Sequence, residues 1–198
     1  MRWQALASLV VASLAIMGSP GPATISLTAA GSAHGVRRSL GYLAGVVAGT
    51  TVVLLAVATG ITAALLAVPA VQPLFLAASA GYILWLAYHI AKAPALESEQ
   101  GAGDAPGAAG GLFLGVTNPK AWLAIAGVFA GARLADGAAS NALAKVAVLA
   151  AMIVLINATW LVAGASLAGR LQDPRRARAV NLVLAGALVA SLVVVVRG

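Results

Sequence analysis

The sequence predicts an all-α integral membrane protein: six transmembrane helices laid out as two inverted three-helix repeats, with the first and fourth helices broken. Three observations predict it. The chain is 62% hydrophobic and 9% charged over 198 residues, with a mean hydropathy of +1.00, whereas a soluble domain is charged at about 25% of its positions. One long polar stretch, 93–110, separates three apolar runs from three more. Both halves carry proline inside an apolar run, at Gly18-Ser19-Pro20-Gly21-Pro22 and at Thr117-Asn118-Pro119-Lys120. Proline removes a backbone donor and clashes with the preceding turn, so each motif breaks its helix. In lipid the freed backbone groups need protein or a water-lined cavity around them, so each break is read as one wall of a site.

The first span covers 3–33. Arg2 before an apolar stretch and small residues around Ser19 also fit a secretory signal, but the apolar character resumes through Ala23, Ile25, Leu27 and Ala30, as in a broken membrane helix. His34, Gly35, Arg37 and Arg38 read as a loop, 39–68 as the second span, and Pro69 and Pro73 as the flanks of a tight turn. The third span, 74–92, carries Tyr82, Trp85 and Tyr88 toward its second half, where aromatic side chains anchor an interface. Residues 93–110, with Glu97, Glu99 and Asp104, form a polar loop between the halves 1–92 and 111–198. The fourth span begins at Gly111 and ends near Arg133; the fifth, 141–167, and the sixth, 179–196, flank a basic loop of Arg170, Arg175, Arg176 and Arg178. Each span meets the ~20 residues needed to cross ~30 Å of hydrocarbon. The 22 glycines let such helices approach closely.

A net charge of +7 would point to nucleic acid if its bearers formed a patch, but they sit in short inter-helix loops, so no nucleic-acid partner is expected. Arg37, Arg38, Lys92, Arg170, Arg175, Arg176 and Arg178 fall on one side, and Arg2, Arg133, Lys145 and Arg197 on the other. The richer side is read as cytoplasmic, which places both termini outside and loop 93–110 inside a multi-pass plasma or inner-membrane protein. There are no cysteines, which excludes disulfides, thiolate metal sites and a membrane thiol-disulfide carrier. Neither a metal nor a cofactor is expected. Ser166 and His89 lie on different spans without a supporting motif, so an intramembrane serine protease is set aside, and the chain is not read as an enzyme.

Lys120 is the basic side chain that cannot easily leave the hydrocarbon zone. Counted from Gly110 at about 1.5 Å per residue it lies ~15 Å deep, where a charge costs ~2.5 to 3.5 kcal/mol and marks a pathway or a partner unless it snorkels to an interface. Thr117 and Asn118 beside it can bond a polar cargo or satisfy the broken backbone. His89 reads as interfacial, and Asn157, Thr159 and Trp160 as helix-to-helix hydrogen bonders. No Asp or Glu falls within any predicted span.

Pro20-Gly21-Pro22, then Gly35, Arg37, Gly41, Gly45 and Gly49, then Tyr82-Ile83-Leu84-Trp85-Leu86, then Phe113, Gly115 and Asn118-Pro119-Lys120-Ala121, and finally the arginine-rich loop before Asn181 and Gly186 run in order along nearly the whole chain. Together they resemble the LysE/RhtB family of amino-acid exporters. The resemblance implies efflux of an amino acid or close derivative from the cytoplasm, coupled to the proton gradient, by a small protein able to form a homodimer in the lipid bilayer. Many similar members carry an acidic residue where this chain reads Gly49-Thr50-Thr51, and a lysine ahead of Gly81-Tyr82 that is missing here.

The leading expectation is a secondary transporter working by alternating access, with a passive channel or facilitator for small polar solutes as the alternative that the missing acid favours. Pro20, Gly21 and Pro22 from one half and Thr117, Asn118, Pro119 and Lys120 from the other are expected to face one another near the midplane and form the cargo site. The half-helix starting around Ala23 would turn its positive end to the cargo carboxylate, and Lys120 would add a full charge. A dibasic cargo would set like charges together in low dielectric, so a neutral, small or aliphatic amino acid is expected.

Overall fold

The computed structural model describes residues 2–60, 71–92, 105–168 and 174–197, all helix, turn or short connection with no strand among them. Helix α1 (Trp3–Ala12) continues into one π-helical turn, Ser13–Met17. That turn is closed by the Gly18 amide on the Ser13 carbonyl at 3.1 Å and by the Ser13 hydroxyl on the Leu9 carbonyl at 2.7 Å. The chain then breaks until α2 (Pro22–Ala58), where Pro22 occupies the first helical turn that tolerates it.

Helix α2 is two arms. At Gly35 φ is 71°, a conformation that only glycine adopts without strain. The Ser39 hydroxyl bonds the Ala30 carbonyl at 3.1 Å, although nine residues of continuous helix would separate the two by about 13.5 Å. The chain therefore doubles back, and the loop expected over His34–Arg38 shrinks to a single residue.

The remaining helices are α3 (Val71–Lys92), α4 (Ala108–Thr117), α5 (Pro119–Ala130), α6 (Ala138–Ala168) and α7 (Pro174–Arg197). Two differences from expectation are local. Arg175, Arg176 and Arg178 lie in the first turns of α7 rather than in a loop, because Pro174 starts the helix early. Helix α4 begins at Ala108, three residues before the expected Gly111. Residues 61–70, 93–104 and 169–173, with the expected turn at Pro69, the acidic part of the central loop and Arg170, lie outside the described residues. Among the described residues α2 and α6 are each long and apolar enough to cross a membrane, and α4 with α5, bent by 58° at Asn118, make a third candidate span.

Glycine sets the packing. Gly45 and Gly49 of α2 lie against Gly111 and Gly115 of α4, so closely that a Cβ on Gly115 would stand 2.7 Å from the Val46 carbonyl oxygen and 2.8 Å from the Thr50 nitrogen. The first arm of α2 crosses α6 in the same way, where a Cβ on Gly164 would come within 2.7 Å of the Thr28 Cα. Backbone-to-backbone approach of this kind is how helices associate where lipid removes the usual hydrophobic drive. Two apolar cores result. One gathers Leu27, Tyr42, Val46, Ile83, Leu114 and Leu188, and the other Leu9, Val53, Leu54, Ile125, Leu149 and Ile153. Large apolar side chains also face outward, with Trp3 73% and Leu143 72% exposed, a surface suited to acyl chains rather than water.

Candidate functional site

Between the two cores a cavity of about 40 Å³ is lined by Ala23 from the first and by Ile125 and Ile153 from the second. Its polar wall is Thr24, Thr50, Asn118, Lys120 and Asn157, with Gly21 beside them. At roughly 10–15 Å³ per water the space holds about three waters, too little for an amino acid without rearrangement.

The first break explains the wall. In an unbroken helix the Ser19 and Pro20 carbonyls would accept from the amides of Ala23 and Thr24, four residues on. The break redirects both carbonyls to the Lys120 ammonium, which donates to Ser19 and, at 3.1 Å, to Pro20. The Trp160 indole donates to the Gly18 carbonyl at 3.1 Å. The Gly21 carbonyl accepts from the Ile25 amide at 2.9 Å and the Thr24 hydroxyl at 3.1 Å, and the Gly21 amide donates back to the Thr24 oxygen at 2.9 Å. Every carbonyl from Gly18 to Gly21 thus has a partner, as backbone at membrane depth requires. Gly21 is in extended backbone that any residue adopts, so what demands glycine is space: a Cβ there would stand 2.6 Å from Lys120 Cδ and 2.9 Å from its Nζ.

The second break is a corner of one residue. Asn118 has φ −67° and ψ 104°, and its side-chain oxygen accepts from the Lys120 amide at 3.2 Å, capping α5. Pro119 opens α5. The Trp122 indole donates to the Val116 carbonyl at 2.7 Å, and the Thr117 hydroxyl to the Phe113 carbonyl at 2.8 Å.

Of the seven residues singled out in the sequence, Gly21, Asn118 and Lys120 line the cavity. Pro20 offers its carbonyl to Lys120, Pro22 and Pro119 start helices, and Thr117 is spent on its own helix. The sequence singles out neither Thr24 nor Thr50, although a Thr three residues after Gly21 can reach back to that residue's amide, as one half of a capping box does. Asn157, which bonds the Ile153 carbonyl at 2.8 Å, and Trp160 belong to the site, while Thr159 bonds its own helix at Leu155.

Unlike the half-buried Lys120, another lysine is buried. Lys145, expected beside Arg2 and Arg133 at an exposed end, is 6% exposed and donates to the Phe129 carbonyl in the last turn of α5 at 2.7 Å. A cation there meets the negative end of the helix. The end itself is as expected, since Arg2 pairs with Asp136 at 2.7 Å and Arg133 bonds the Asp136 carbonyl at 2.9 Å.

The family model described as LysE type translocator matches residues 14–196. The cysteine/O-acetylserine efflux protein of Salmonella paratyphi A is 43% identical over 82 residues, covering 41% of this chain and 42% of that protein. The protein of the same name from Salmonella choleraesuis is 44% identical over 80 residues, 40% of each chain. The matched stretch thus spans about two fifths of those relatives' length. No solved structure matches. The family match runs through both breaks and the cavity between them, and this chain belongs to the LysE type translocator family.

Proposed function

We propose that this chain exports a small neutral amino acid of the cysteine or O-acetylserine kind from the cytoplasm, by alternating access of two inverted three-helix halves, 1–92 and 111–198, around the breaks. The observation that carries the reading is Lys120. It reaches from α5 across to the carbonyls of the first break and forms part of the cavity wall with Thr24, Thr50, Asn118 and Asn157. A carboxylate fits there between the Lys120 charge and the positive start of α2, whose first residues, Ala23 and Thr24, border the cavity. The relatives' names agree with a small neutral cargo, and so does the lack of any acid in the predicted spans to balance a second cationic group.

Export is proposed to be driven by the proton gradient. The alternative is a passive facilitator, which the missing intramembrane acid favours. A charged side chain that ties the two halves together across the break supports a carrier instead.

Proteoliposomes holding labelled L-cysteine under reducing conditions test the reading. An imposed pH gradient should drive export uphill, Lys120→Met should lower the rate about a hundredfold or more, as loss of a charged contact to a buried carboxylate does, and Lys120→Arg should keep some binding. Normal export by a Lys120→Met protein present in normal amount contradicts the reading, and equilibration without accumulation turns it to the facilitator. With loop 93–110 cytoplasmic, a C-terminal alkaline phosphatase fusion should be active; an inactive one beside a bright fluorescent fusion reverses the orientation.

A further inference from the structure

The proposed function gives the cargo carboxylate a place and assigns none to its ammonium. No acid lies in the predicted spans to receive it, and a buried ammonium without hydrogen-bond acceptors is costly. The break supplies acceptors of another kind. The Ser19 and Pro20 carbonyls follow the C-terminal end of α1 and its π turn, where the helix dipole is negative, and they have lost the Ala23 and Thr24 amides that an unbroken helix would give them. Unwound carbonyls at the end of a half-helix are a general cation seat in membrane proteins. Here the seat already holds an ammonium, that of Lys120, pressed against Gly21 where no side chain intervenes.

We infer that the Ser19 and Pro20 carbonyls are the seat of the cargo's own α-ammonium, and that Lys120 fills it only when cargo is absent. The inference rests on the proposed export of a zwitterion. As cargo enters, its ammonium replaces Lys120 on the two carbonyls, and the released Lys120 turns into the space beside Thr24, Thr50 and Asn118 to pair with the cargo carboxylate. The exchange conserves the hydrogen bonds of the break, because one ammonium succeeds another. The seat accepts a primary ammonium, which brings N–H groups to both carbonyls, and rejects a cation without N–H.

Lys120→Ala empties the seat and leaves the carbonyls in place. The purified variant should be less heat-stable than the native protein, and ethylammonium chloride should raise its Tm saturably, by about 3 °C or more. Tetramethylammonium chloride and sodium chloride at equal ionic strength should not, and the native protein should not respond to ethylammonium. If all three salts act alike on Lys120→Ala, or ethylammonium does nothing, the inference is overturned. Should Lys120→Ala fail to fold, the native protein decides it: N-acetyl-L-cysteine, which has the carboxylate and thiol but no ammonium, should compete with labelled L-cysteine about ten- to hundredfold more weakly than L-cysteine itself, and equal competition overturns the inference. The two readings fail separately. If Lys120→Met exports normally but ethylammonium still stabilises Lys120→Ala, the proposed role of Lys120 in export falls and the seat stands. If Lys120→Met is inactive and ethylammonium has no effect, the seat falls and the role in export stands.

Discussion

The two breaks in this chain are built in opposite ways. The first, Gly18 to Gly21, draws its decisive partners from elsewhere: Trp160 of α6 holds the Gly18 carbonyl and Lys120 of α5 holds those of Ser19 and Pro20, a hundred residues or more away in sequence. The second, at Asn118, is held by its own neighbours, with Asn118 capping Lys120, Trp122 closing Val116 and Thr117 closing Phe113. Each break has one indole on one carbonyl, but the hydrogen bonds named here come from other helices at the first break and from adjoining residues at the second. A self-contained corner keeps its shape as its surroundings shift. A break tied by long-range bonds changes when they do. The difference makes the second break the fixed arm that delivers Lys120 and the first the part that responds to what Lys120 holds.

The largest effect expected from disturbing the contrast comes at Gly21. Its backbone is extended and tolerates alanine, so the Gly21→Ala methyl acts only by pushing Lys120 off the first break. Losing charge-assisted bonds of this kind costs about 1.5–3 kcal/mol. The empty protein should therefore melt several degrees lower while still assembling, and an unchanged melting temperature would show that Lys120 has freedom that the contrast denies it.

A smaller effect separates the two indoles. Trp160→Phe removes a bond between helices and Trp122→Phe one within a corner, each worth about 0.5–1.5 kcal/mol. Both variants should lose comparable thermal stability, while only Trp160→Phe alters the apparent affinity for L-cysteine in the proteoliposome assay. An equal change in affinity for both would mean that the breaks respond together.

Both breaks were legible in the sequence because proline acts on its own neighbours, and that effect does not wait for the fold. Lys120 is legible as the basic side chain beside the second break, but its expected depth is counted along one straight helix, and the chain bends by 58° at Asn118. What holds the first break was not legible. Trp160 reaches Gly18 only because Gly31 and Gly164 let α2 and α6 touch backbone to backbone, and pairing of distant glycines is not visible along one chain. Lys145 was placed at the correct end but on the surface, since burial under Phe129 depends on how α5 ends against α6. The loop expected after His34 became a bend at Gly35, because one glycine with φ of 71° suffices where polar residues suggested several. Along the sequence Thr24 and Thr50 look like ordinary helix residues and Asn157 like a helix-to-helix hydrogen bonder, and it is the convergence of α2, α5 and α6 that makes them one wall.

Amide hydrogen exchange on the native protein and on Lys120→Met tests the asymmetry most directly, because it reads each break separately. The substitution leaves the Lys120 backbone amide and its Asn118 cap intact while removing both ammonium bonds to the first break. Amides from 18 to 25 should then exchange about tenfold or more faster, and those from 114 to 122 at the native rate. Equal acceleration in both stretches, or none in the first, would contradict the account.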